Sequence, residues 1–107
     1  MTWEVNFYET ARGSNPVKDF IREQDEATYA KILHSILLLK NGGPFLKPPY
    51  NKKIQNNLYE LRVPGKNAIR IFYTMVNNAY ILLHIFKKKS QKTPARELKT
   101  AEPSIDK

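Results

Sequence analysis

The residues of this 107-residue chain with the most obvious chemical capacity are cations. The run Lys87-Lys88-Lys89-Ser90-Gln91-Lys92 sets four ammonium groups within six residues, and Arg62 and Arg70 precede it in strand-like runs. Such cations hold phosphates and stabilise the negative charge that develops when a phosphodiester is attacked. RNA carries its own nucleophile, the 2′-OH, so a protein that cleaves it need only position the strand, move two protons and stabilise that charge. Glu60, His84 and Lys88 are the candidates for moving protons, with Tyr73 a further one. Crowded ammonium groups disfavour one another's charged form, which eases proton exchange near neutrality. A charge run of this kind also reads simply as a solvated face. His34, beside Leu33 inside a helical pattern, reads as a structural residue.

Other chemistries are excluded or find no support. With no Cys and two His, the chain has no disulfide scaffold, no Cys/His zinc site and no thiol nucleophile. There is no Ser-His-Asp arrangement and no paired-carboxylate signature, and Gly42-Gly43 follows a helical pattern rather than opening one, unlike a phosphate loop. We therefore expect neither a metal nor a cofactor. The formal charge of +8 is unevenly placed: residues 40–70 carry seven basic and one acidic residue, residues 87–107 seven and three. That asymmetry points to a polyanion, nucleic acid first, against the plainer alternative of solubility. No apolar run, Ile36 to Leu39 among them, approaches the roughly 20 residues a membrane span needs. The start Met1-Thr2-Trp3-Glu4 lacks a basic and then apolar leader, so a cytoplasmic location and no membrane partner are expected.

The elements that must position these residues follow from periodicity. Trp3, Val5 and Phe7 alternate with polar residues as one face of a strand. Asn15-Pro16 is a cap followed by a first-turn proline, and Val17, Phe20 and Ile21 make a short amphipathic helix ending near Gln24. Asp25 then caps a second helix whose Tyr29, Ile32, Leu33, Ile36 and Leu37 follow helical spacing and are expected in the core, before Asn41-Gly42-Gly43-Pro44 stops it. Phe45 to Lys53, with prolines at 44, 48 and 49, reads as a loop. Leu58–Val63, Ala68–Val76 and Tyr80–Lys87 read as an antiparallel meander turning at Pro64-Gly65-Lys66-Asn67 and Asn77-Asn78. Thr93-Pro94 opens a last helix to about Ala101, leaving 102–107 frayed. The expected fold is a single α+β domain over 1–101, ordered β-α-α-β-β-β-α, with a mainly antiparallel sheet and an αα-hairpin packed on one face.

Strand parity sorts the meander into two faces. Tyr59, Leu61, Val63, Ile69, Ile71, Tyr73, Met75, Ile81, Leu83 and Ile85 are expected against the helices. Glu60, Arg62, Arg70, Phe72, His84, Phe86 and Lys88 are expected on an open face, where aromatic rings would stack bases and cations would take phosphates. Glu60 pairing with a neighbouring arginine is the structural alternative.

The opening FYET-x-x-G-x-x-P-V, then LYELR, RIFY and HIFKKKSQKTPAREL, taken in order over about residues 5–100, resemble the HigB-like, phage-derived branch of the RelE/ParE toxin superfamily. The resemblance implies a RelE-like fold and the toxin half of a type II toxin–antitoxin pair that cleaves mRNA on the ribosome. Its implied partners are a small antitoxin, of helix-turn-helix type, and the ribosome with bound mRNA, with operator DNA reached only through the antitoxin. Arg70 matches the residue that contacts the scissile phosphate, Arg62 the basic residue of the preceding strand, and Lys87 to Lys92 the cationic end of the last strand. Lys66, Lys87, Lys89 and Lys92, with Phe72 and Phe86, make up the expected RNA-binding set. No Tyr follows Ser90, where the best-known members end on a catalytic Tyr, so the proton carrier stays open among Lys88, His84, Tyr73 and Glu60. The rival readings are a ParE-like gyrase inhibitor without nuclease activity and a degenerate toxin acting only as an antitoxin-bound co-repressor.

Overall fold

Local chemistry starts and stops the elements of this chain, and pairing between them does the rest. The computed structural model describes residues 2–88 and 97–100. In order these form β1 (Glu4–Phe7), α1 (Pro16–Arg22), α2 (Glu26–Gly42), a 3₁₀ turn (Gly43–Phe45), β2 (Asn51–Gln55), β3 (Leu58–Arg62), β4 (Ile69–Val76) and β5 (Ala79–Lys87). Residues 97–100 are helical. The expected helix start at Thr93-Pro94 and the expected frayed tail at 102–107 lie outside the described residues. Asn15 caps α1 as expected, its Oδ1 accepting from the Lys18 amide at 3.4 Å with Pro16 in the first turn. No described helix is long and apolar enough to cross a membrane.

The architecture is mixed α+β around one five-stranded sheet ordered β1-β5-β4-β3-β2. Only the β1–β5 pair is parallel; the other three are antiparallel. The β4–β5 hairpin closes on Asn77-Asn78, both at positive φ (50° and 66°), the conformation a two-residue hairpin turn needs. The expected loop over 45–53 is corrected: its second half enters β2, which pairs with β3 through Asn51↔Leu61, Lys52↔Glu60 and Lys53↔Tyr59. Nearby prolines and the polar run Asn51-Lys52-Lys53 hide this strand from propensity. At a sheet edge that polarity is an advantage, because charged side chains discourage further strand pairing.

Both helices pack on one face of the sheet. Val17 and Ile21 of α1 and Ile32 and Leu39 of α2 meet Leu61, Ile71, Tyr73 and Leu82, with Trp3, Val5 and Phe7 partly buried at the margin. The expected face of α2 needs correction. Its buried line is Thr28, Ile32, Ser35 and Leu39, whereas Tyr29, Leu33 and Leu37 are exposed. Apolar residues cover a wide arc of this helix, so its rotation is set by anchors at its ends. Near the start, Asn67 Nδ2 donates to Thr28 Oγ1 at 2.8 Å. At the far end, the Trp3 amide donates to the Lys40 carbonyl at 2.8 Å. Gly43 follows at φ 52°, where a Cβ would lie 2.5–2.7 Å from the Trp3 ring, so only glycine closes this corner.

A bulge in β5 changes the expected faces. Phe72 pairs with His84 but Tyr73 pairs with Leu82, so Leu83 is the extra residue. Tyr80 and Leu82 consequently join the helix-side core, while Ile81 and Leu83 turn to the opposite face, the reverse of simple alternation. Beyond the bulge the expected parity holds: Ile85 faces the helices, and Phe86 lies opposite. The second face is not open either. Leu58, Phe72, Leu83 and Phe86 form a second apolar cluster there, with Tyr8, Ile54, Ile81 and Leu98 packed against it.

Candidate functional site: an arginine cleft at the sheet edge

Pairing across β2, β3, β4 and β5 builds the candidate site as two rows of side chains. Arg62 lies directly opposite Arg70, which lies opposite Phe86. One row along, Lys52 faces Glu60, Glu60 faces Phe72 and Phe72 faces His84. Two arginines opposed across strands repel one another, and Glu60 sits where it can offset that. Its Oε1 accepts from Arg62 Nε at 3.3 Å and lies 3.7 Å from Arg70 Nε. The Glu60 side chain is 1% exposed, so its charge is held against both guanidinium groups in a poorly solvated place.

Arg70 donates from one terminal nitrogen to the Ile69 carbonyl at 3.1 Å, and its buried Nε has no hydrogen-bond partner among the described residues. Burial pulls its pKa below the ordinary arginine value, Glu60 opposing that shift and Arg62 adding to it. Arg62, Arg70 and the turn after β3 line a cleft of about 310 Å³ together with Pro49 and Tyr50. Two guanidinium groups against one carboxylate leave a net positive charge, and the planar fork of donors on each suits an oxyanion such as a phosphate.

Some expected site residues reach this cleft and others do not. Lys88 begins at its rim, the Lys88 amide donating to the carbonyl of Ala68, a cleft-lining residue, at 2.9 Å. Lys87 pairs with Ile69 and by parity falls on the helix side of β5. Lys66 lines a separate cavity of about 240 Å³ with Asp25, Thr28 and Lys31. Lys89 and Lys92 lie outside the described residues. The expectation that Phe72 and Phe86 offer stacking surfaces is corrected, because both rings are buried in the second cluster, at 0% and 5% exposure.

His84 stacks on Phe86 and tilts against Phe72, and its Nε2 lies 2.7 Å from Glu97 Oε1. Glu97 was not among the expected site residues; its position in the last predicted helix was the only signal for it. Tyr73 leaves the set of proton carriers. It lies in the helix-side core, accepts a hydrogen bond from Asn51 Nδ2 at 3.2 Å, and burial pushes its pKa up to about 12. Tyr50 and Lys52 carry no sequence signal of their own, because their segment reads as a loop. Among the described residues no group of three or more His, Asp or Glu is placed to hold a metal ion.

Fold and cleft together define a small basic α+β protein with paired guanidinium groups on its sheet. The chain belongs to the phage-derived Gp49-like (DUF891) family, whose sequence profile it matches over residues 19–105. This is a RelE-like family, associated with toxin-like proteins. No curated protein matches the chain.

Proposed function

We propose that this protein is the toxin of a type II toxin–antitoxin pair, of the HigB-like kind, and that it cleaves mRNA on the ribosome. The observation that carries this reading is the cross-strand pair Arg62 and Arg70 lining a cleft of about 310 Å³, in a chain whose family is associated with toxin-like proteins. In this reading the scissile phosphate lies between the two guanidinium groups. The 2′-oxygen attacks phosphorus, the P–O5′ bond breaks, and a 2′,3′-cyclic phosphate is left. One proton leaves the 2′-OH and one reaches the departing 5′-oxygen. Glu60, His84 and Lys88 are the residues proposed to carry them, with Arg62 and Arg70 neutralising the charge on phosphorus. Lys87, Lys89 and Lys92 would hold mRNA and ribosomal RNA by charge. A small antitoxin encoded beside the gene would silence the protein and carry it to operator DNA.

The test is induction of the wild-type chain and of Arg70→Ala, followed by primer extension on a cellular message. We expect growth arrest and codon-linked cuts with the wild type, and neither with the variant, whose fold is checked by circular dichroism. Equal cutting by a folded Arg70→Ala overturns the assignment. Gyrase-trapped DNA breaks without RNA cuts would establish the gyrase-inhibitor reading in its place.

A further inference from the structure

We propose that Tyr50 forms a nucleobase-stacking subsite beside the arginine cleft, taking a base of single-stranded RNA whose phosphate lies between Arg62 and Arg70. The inference rests on the RNA reading above and adds a binding residue to it. Tyr50 is placed by backbone pairing: Asn51 faces Leu61, so Tyr50 falls opposite Arg62, and the Arg62 amide donates to the Tyr50 carbonyl at 2.8 Å. Tyr50, Arg62 and Arg70 therefore stand side by side across three adjacent backbones.

The ring is available where those of Phe72 and Phe86 are not. Tyr50 is 45% exposed, whereas Phe72 and Phe86 are buried. It lines two depressions at once. One is the arginine cleft; the other is an open groove of about 430 Å³ that includes Leu38, Phe45, Leu46, Lys47 and Pro48. A nucleotide needs this combination, with cations for its phosphate and a flat apolar surface next to them for its base. The segment is also pre-organised. Pro48 and Pro49 restrict the backbone before Tyr50, and the Tyr50 amide donates to the Lys47 carbonyl at 3.1 Å. Stacking accepts any base, so this subsite supplies affinity and orientation rather than codon choice.

The experiment uses the full chain and a 2′-O-methyl RNA tetranucleotide, uncleavable because the nucleophile is blocked, carrying one 2-aminopurine. Binding is read by the quenching of that base, for the wild type, Tyr50→Phe and Tyr50→Ala. Stacking predicts quenching and nearly unchanged affinity with Phe, against loss of quenching and roughly 5- to 150-fold weaker binding with Ala. Inorganic phosphate, followed by NMR shifts of the arginine side chains, should bind all three alike. Unquenched wild-type binding, or equal affinity with Tyr50→Ala, overturns the subsite. Loss in Tyr50→Phe as large as in Tyr50→Ala also overturns it, because the hydroxyl rather than the ring would then be the contact. Tighter binding of free adenosine monophosphate than of the tetranucleotide would overturn RNA as the ligand. A chain that binds the tetranucleotide through Tyr50 but cuts no ribosome-bound message defeats the nuclease reading and leaves the subsite standing. A chain that cuts message equally well with Tyr50→Ala at limiting ribosome concentration does the reverse.

Discussion

Replacing Glu60 by Gln removes the charge that holds Arg62 and Arg70 together while keeping the side chain's shape. The carboxylate is 1% exposed, with guanidinium nitrogens at 3.3 and 3.7 Å. At an effective dielectric of about 20, such pairs attract by roughly 4.5–5 kcal/mol each. Repulsion between the two arginines and the loss of hydration offset much of this. Removing one partner of a fully buried pair costs about 3–5 kcal/mol, because the remaining charge is stranded. Here the stranded charges are the arginines, whose side chains keep 33% and 18% exposure and can turn toward water. We therefore expect Glu60→Gln to cost about 2 kcal/mol, lowering Tm by roughly 10 °C for a domain of this size. Urea unfolding followed by Trp3 fluorescence measures it, and a double-mutant cycle with Arg70→Gln isolates the coupling, expected at about 1 kcal/mol or more. A Glu60→Gln protein within about 0.5 kcal/mol of wild type, or a cycle with no coupling, refutes the clamp. Cleavage measured well below the variant's Tm is expected to fall as well, because released arginines no longer hold the phosphate between them.

Three further outcomes follow from the packing. Leu37→Glu should change stability by less than about 0.5 kcal/mol while Ile32→Ala costs about 2–5 kcal/mol, because only Ile32 lies on the buried line of α2; the reverse order in urea denaturation would restore the rotation expected from periodicity. Gly43→Ala should destabilise by several kcal/mol or prevent folding, since its φ is positive and the new methyl would overlap the Trp3 ring; a stable, unshifted Trp3 emission spectrum in the variant would contradict this. The raised pKa of Tyr73 makes the fold sensitive to alkali: the stabilising protonated form is fully present below about pH 10 and is lost as pH rises through about 12. That loss amounts to about 2–3 kcal/mol, and Tyr73→Phe should flatten the decline when stability is followed between pH 9 and 12 by tyrosinate absorbance and circular dichroism.

Much of the fold was legible because its signals are local. A cap followed by proline marks the start of α1, alternation marks β3 and β4, and an Asn-Asn pair marks a hairpin. The candidate site was legible in part. Glu60, Arg62 and Arg70 fall on one face through alternation within two regular strands, so their convergence could be read from spacing. Tyr50 and Lys52 could not, because an edge strand rich in polar residues has no periodic signature and exists through its pairing with β3. Glu97 depends on residues 97–100 packing against the His84 side of the sheet, a contact between distant segments that no local pattern encodes.

The cationic residues that could do chemistry, and the elements carrying most of them, are properties of the sequence itself, since side-chain type and short-range periodicity are written along the chain. Tertiary structure alone decided which surfaces exist. The bulge at Leu83 exchanged the two faces of the first half of β5, and anchors at Thr28 and Lys40 turned the Leu33–Leu37 side of α2 toward solvent. A second apolar cluster buried the very phenylalanines that alternation placed on an open face. Burial is a relation between distant segments, whereas periodicity fixes only which residues travel together. The arginines were foreseeable, but the exposed ring beside them depended on β2 joining the edge of the sheet.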